Sequence, residues 1–309
     1  MKSVVALAGG VGGAKLALGF SYILGSDELT IVVNTADDDR FYGLHVSPDL
    51  DTVMYTLAGV SNSEMGWGLV SESFRTLERL KEYGVDAWFN LGDLDLATHL
   101  YRTKMLDEGK TLSEVCQQLA KSLGVEHKIL PVTDSSIKTV LETQDGVMSF
   151  QEYFVKNQCE PVVKSIDFEG SSNCTVTPEV RQAVMNMDLL VFCPSNPFVS
   201  LAPILSVPGF KQLIESFSGR SIGVSPIVGG EAIKGPAAKM LKELGHDVSS
   251  LGVARQYVGL CNTFIIDEKD VALKEEIESL GMDVFVTQTI METDQDKKQL
   301  AQYILEISA

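Results

Sequence analysis

Residues 3–20 read SVVALAGGVGGAKLALGF, and this stretch decides the fold. The apolar run Val4 to Ala8 breaks into Gly9, Gly10, Gly12 and Gly13, and an Ala/Leu-rich stretch carrying Lys15 follows. The pattern predicts a strand, a glycine turn and a helix from Ala14 to about Leu24. Such a turn points backbone N–H groups and a helix N-terminus at one spot, where anions bind. Glycine suits it because a Cβ would block a positive-φ turn or the close approach of a phosphate. A nucleotide or diphosphate site is the leading expectation; a tight turn with no ligand is the plainer alternative.

The familiar fingerprints do not fit. A P-loop needs a hydroxyl residue after its lysine, but Leu16 follows Lys15. The dinucleotide motif G-x-G-x-x-G matches at Gly10 and Gly12 but meets Lys15 where its third glycine belongs. The loop therefore indicates phosphate without indicating which nucleotide.

Working outward, LTIVVN (Leu29 to Asn34) is a second β-branched strand, which completes a βαβ unit. Residues 66–125 read as mostly helical, with Phe74, Leu77 and Leu80 at helical spacing. Val132–Thr139 and Val147–Val155 suggest short strands, and Asn157–Pro178 lacks periodicity. The α/β rhythm returns with strands at Leu189–Cys193, Ser221–Val224, Thr263–Ile266 and Val284–Val286 and a closing helix at Lys297–Ile307. The expectation is one α/β domain over residues 1–309, a doubly wound, mostly parallel Rossmann-like sheet. A mainly helical insertion is expected at about 60–180, contributing to an acceptor site.

Composition narrows the function. The chain has 309 residues, 45% of them hydrophobic, and a net charge of −17. That charge disfavours a nucleic-acid partner. No apolar run approaches the ~18 residues of a membrane helix, so a cytoplasmic protein is expected. Five scattered cysteines without a CxxC pair, and four histidines without ligand spacing, argue against zinc and disulfides. An acidic protein that binds phosphates needs local cations, either Lys/Arg or a divalent ion.

Four polar segments follow strands or sit near them. NTADDDR (Asn34 to Arg40) places Asp37, Asp38 and Asp39 together, where they repel unless a cation offsets them. PDLDT (Pro48 to Thr52) spaces Asp49 and Asp51 two apart, so both carboxylates would share one side of an extended segment. Such a pair can hold Mg²⁺ or divide labour between ligand and proton acceptor. WFNLGDLDLATH (Trp88 to His99) crowds Asn90, Asp93, Asp95, Thr98 and His99, with Arg102, Thr103 and Lys104 next. His99 reads first as structural, and Trp67 and Trp88 could stack on a planar ring or pack in the core. PSNP (Pro194 to Pro197) offers Ser195 and Asn196 to a phosphate or base edge, and SPIVGG with Lys234 repeats the arrangement one strand later.

Taken in order, LAGGVGGAKL, NTADDD, GLHVSPDLDTVMYTLAG, GWG, LGDLDLATHLYRTKML, PSNP and SPIVGG resemble the 2-phospho-L-lactate transferases of coenzyme F-420 biosynthesis, from Lys2 to about Gly259. The resemblance implies Mg²⁺-dependent transfer of a lactyl phosphate from lactyl-2-diphospho-5′-guanosine to the ribityl hydroxyl of the deazaflavin Fo, with release of GMP and formation of F-420-0. Some relatives use the enolpyruvyl donor, and the sequence does not separate the two. It further implies that Gly9, Gly10, Gly12, Gly13 and Lys15 hold the donor diphosphate, and Ser195 and Asn196 the guanosine end. Asp51, Asn90 and Trp88 would meet Fo, Asp37, Asp38 and Asp49 would hold Mg²⁺, and Asp49 and Asp51 would be catalytic. A homodimer is the default expectation. The rival reading is a nucleotide-sugar-binding regulator of the same superfamily, with no transfer reaction.

Overall fold

The first two strands are buried at every position because helices cover the sheet on both faces. In the computed structural model, which describes residues 2–62 and 64–308, seven strands form the central sheet. They are β1 Val4–Ala8, β2 Leu29–Val33, β3 Lys128–Pro131, β4 Leu189–Phe192, β5 Arg220–Val224, β6 Thr263–Ile266 and β7 Asp283–Val286. Every pairing is parallel, and the spatial order is β3-β2-β1-β4-β5-β6-β7. Val4, Ala6 and Ala8 of β1 face one core, with Phe20, Leu50 and Val53; Val5 and Leu7 face the other, with Phe192, Phe210 and Phe264. That alternation is the period-2 geometry of a strand.

The strand order reverses at β1, with β2 on one side and β4 on the other. At such a switch point the loops after neighbouring strands diverge and leave a crevice. The glycine run, the NTADDD segment and PSNP all leave the sheet there.

Two expectations are revised. Helix α1 is Gly10–Ser21, so the glycines form its first turn and not a separate loop ahead of it. The 60–180 region is not one helical insertion. Helices α2 Pro48–Leu57, α3 Arg75–Glu82, α4 Asp95–Asp107 and α5 Leu112–Ser122 lie between β2 and β3. After β3 comes a separate antiparallel sheet, in which Lys138–Thr143 pairs with Gly146–Ser149 and Val163–Glu169. Its strands carry charge on the open face, so their apolar alternation is faint in the sequence. Among the described residues no helix is long and apolar enough to cross a membrane.

Candidate active site

At the switch point the first turn of α1 meets two loops at van der Waals range. Gly10 has φ +60°, a left-handed conformation that favours glycine. A Cβ on Gly12 would lie 2.2 Å from the Pro194 carbonyl oxygen. The glycine at position 12 therefore admits the PSNP backbone. Ser195 completes this seam: its hydroxyl donates to Gly9 O at 2.8 Å and accepts from Gly9 N at 3.2 Å. Gly13 packs on Ala8 and Ser195. Asn196 caps the turn after it, accepting from Phe198 N at 2.9 Å, and lines the cavity. Lys15 Nζ donates to Met291 O at 2.6 Å and also lines the cavity, with Lys234. Burial, then the ammoniums of Lys234 and Lys297, lower its pKa.

Beside that turn, Asn34 draws two carboxylates together. Its Nδ2 faces Asp49 Oδ2 at 2.9 Å, Asp37 Oδ2 at 3.1 Å and Val199 O at 3.2 Å, while its Oδ1 accepts from Ala36 N. Asp49 Oδ1 accepts from Gly10 N at 2.8 Å. A carboxylate thus occupies the helix N-terminus, where it interacts favourably with the helix dipole. Both acids are buried, and Asp37 Oδ1 has no partner among the described residues. Burial pushes the Asp49 pKa up to about 6. Burial and the Asp49 charge push Asp37 well above the carboxylate range. Asp38 turns away from the cavity wall: its Oδ2 accepts from Ser47 Oγ at 2.6 Å and lies 3.2 Å from His45 Nε2. Burial raises its pKa against the opposing pull of His45.

Among the described residues no three acidic, histidine or cysteine side chains gather as a ready-made metal cage. Mg²⁺ does not need one, since it is commonly held by one or two carboxylates, with water and substrate phosphate completing the shell. Asp37 and Asp49 fit that description. They are two juxtaposed buried acids without a neutralising cation, and one of their oxygens is unsatisfied. Asp38, expected as a third ligand, does not line the cavity: its Oδ2 is taken by Ser47 and faces His45, while its Oδ1 has no partner among the described residues.

PDLDT is helical and not extended, because Ser47–Pro48 starts α2 with proline at its first position. Residues two apart on a helix point to different sides, so Asp49 and Asp51 part company. Asp51 takes Arg102 in a two-pronged ion pair, with Nη1 at 3.0 Å from Oδ2 and Nη2 on Oδ1. Arg102 is 1% exposed; burial works against its charge, but Asp51 prevails and raises its pKa. His99, one turn earlier on α4, has Nδ1 3.2 Å from Arg102 Nη1 and Nε2 3.2 Å from Asp95 Oδ2. Tyr55 donates to Asp95 Oδ1 at 2.7 Å.

These groups line one cavity of about 720 Å³. The lining includes the glycine turn, Lys15 and Lys234, an apolar set of Val46, Phe89, Leu91, Phe150 and Phe154, and the exposed Trp67. Asn90 lines it and is exposed. Trp88, expected against a ligand, lies behind the wall. It packs edge-on to Phe41 and Phe89, with the Lys156 ammonium 5.4 Å over its ring. Asn34, Tyr55, Phe150 and Phe154 join the site without having been expected there. Asn34 had one readable signal, a polar side chain directly after a buried strand.

Comparison with known proteins agrees in fold and family. The crystal structure of a UPF0052-family protein from Bacillus halodurans superposes with TM-score 0.64 over 98% of both chains at 17% identity, a likeness of fold. The 2-phospho-L-lactate transferase of Methanosarcina mazei is 36% identical over 98% of this chain and 99% of its own. The phosphoenolpyruvate transferase of Streptomyces griseus is 40% identical over 90% of each. The family model described as 2-phospho-L-lactate transferase CofD matches residues 4–305. With the family model spanning nearly its whole length and full-length relatives above 30% identity, the chain belongs to the CofD family of transferases.

Proposed function

We propose that the chain transfers a lactyl phosphate group from lactyl-2-diphospho-5′-guanosine to the terminal ribityl hydroxyl of Fo, releasing GMP and forming F-420-0. The observation that carries this reading is a single cavity whose lining combines both sets of groups. The start of α1, Lys15 and Lys234 would meet the diphosphate, Phe89, Phe150 and Phe154 supply aromatic surface for a planar ring system, and Asp37, Asp49 and Asp51 line the same space.

Transfer of a substituted phosphoryl group needs positioning and charge neutralisation more than covalent catalysis. Asp37 and Asp49 would hold Mg²⁺ where the donor diphosphate reaches the α1 N-terminus. Bound there, the ion supplies countercharge for the phosphates and for the departing GMP. Lys15 and Lys234 add positive charge there, and Asn196 is placed for the guanosine. Asp51, locked onto Arg102, is a fixed anion in the cavity wall. It suits orienting the acceptor hydroxyl better than taking up its proton. Asn90 and the Phe89 side of the wall would meet the deazaflavin.

A second reading has a specific observation behind it: phosphoenolpyruvate transferases from Streptomyces griseus and Kitasatospora aureofaciens are 40% and 38% identical. The same site would then accept the enolpyruvyl donor. Mass spectrometry of products from Fo and each donor, with Mg²⁺, tests both. F-420-0 and GMP from the lactyl donor, lost in EDTA, is the expected result. Exclusive use of the enolpyruvyl donor would move the assignment to the second reading. Turnover of neither donor, with tight binding of a nucleotide sugar, would overturn both.

A further inference from the structure

We propose that His99 is a positioning residue for the acceptor end of the site, a neutral imidazole whose Nδ1 holds the Arg102 guanidinium against Asp51. The inference rests on the transferase reading only for the identity of the acceptor; the geometry stands apart from it.

Arg102 is buried beneath the cavity and carries only donors. Its Nη1 serves two acceptors, Asp51 Oδ2 at 3.0 Å and His99 Nδ1 at 3.2 Å. Nδ1, with Asp51 Oδ2 a further neighbour at 3.8 Å, is assigned as the bare acceptor in this contact, and the ring proton is assigned to Nε2. That nitrogen lies 3.2 Å from Asp95 Oδ2, with its N–H off the line to that oxygen. The Asp95 carboxylate favours this tautomer, and Asp95 is itself held by Tyr55. His99 and Arg102 are three apart on α4 and share a face. His99 is 1% exposed yet lines the cavity beside Asp51 and Asp95. Without its acceptor nitrogen, the guanidinium loses the contact that fixes its angle, and Asp51 loses its place in the wall.

Two measurements decide the matter. Nitrogen-15 NMR of wild-type protein should show His99 neutral, protonated at Nε2 and bare at Nδ1; a proton on Nδ1 would overturn the proposal whatever reaction the protein performs. Kinetics of transfer to Fo should then separate three variants with equal melting temperatures. Asn places its amide oxygen near the position of Nδ1, Gln places its amide near Nε2, and Leu supplies neither. His99→Asn should keep the acceptor KM within about threefold, while His99→Leu and His99→Gln raise it about tenfold or more with the donor KM unchanged. Equal behaviour of Asn and Leu variants, or rescue by Gln alone, would overturn it. If wild type transfers neither donor group, the functional reading has failed and the NMR result alone decides the role of His99.

Discussion

Asp49 and Asp51 stand two residues apart on one helix, in opposite electrostatic surroundings. Asp49 faces a second acid across a shared amide and shares no cation with it, so burial lifts its pKa to about 6. Asp51 is gripped by a buried guanidinium. The difference teaches that a buried carboxylate's partner, more than its position in the chain, sets its chemistry. The Asp37–Asp49 pair has no basic side chain of its own and leaves one oxygen without a partner, as the proposed Mg²⁺ site needs. The Asp51–Arg102 pair is complete and serves as a fixed feature of the wall.

The largest effect is expected where the complete pair is broken. Arg102→Met leaves Asp51 buried without its partner and should cost about 3–5 kcal/mol of stability, read by urea unfolding. Adding Asp51→Leu to it should recover most of the loss. A single variant as stable as wild type would erase the contrast between the two aspartates.

The next effect runs in the other direction. Asp49 binds its proton more tightly folded than unfolded, so its contribution to stability is full below about pH 4 and is lost as pH rises through about 6. In EDTA, Asp49→Asn should therefore match wild type near pH 4 and exceed it by roughly 1–3 kcal/mol at pH 8. A destabilised variant at pH 8 would show that the pair is not frustrated. The smallest effect sharpens the boundary of the site. Asp38 is held by Ser47 and His45 outside the cavity, so Asp38→Asn should shift stability by about 1 kcal/mol. The divalent requirement of transfer should be unchanged, and a lost requirement would return Asp38 to the metal site.

Much of this architecture could be read from the chain. The two strands of the opening βαβ unit and the strands at 189–193, 221–224, 263–266 and 284–286 are short buried runs between turn residues, and they appear within a residue or two of expectation; the helix between the first two begins four residues earlier than expected. The segments that converge on the cavity were also visible, because polar residues directly after buried strands mark the carboxyl edge of a parallel sheet. The antiparallel sheet over 138–169 was not resolved, because strands with one solvated, charged face carry a weak apolar signal. Asp49 and Asp51 were placed on one side because their spacing fits an extended segment, although Ser47–Pro48 already signals a helix start. The Asp51–Arg102 pairing spans 51 residues, and nothing local announces it. Nor could the chain show that Ser195 is used up in binding Gly9, or that Trp88 sits one layer behind Phe89.

The proposed Mg²⁺ site includes Asp49 and not Asp51. Calorimetric titration of Mg²⁺ in the presence of GDP tests this assignment most directly, with wild type, Asp49→Asn and Asp51→Asn compared. Binding to wild type, its loss in Asp49→Asn and its retention in Asp51→Asn are expected. Loss in Asp51→Asn with full binding in Asp49→Asn would contradict it.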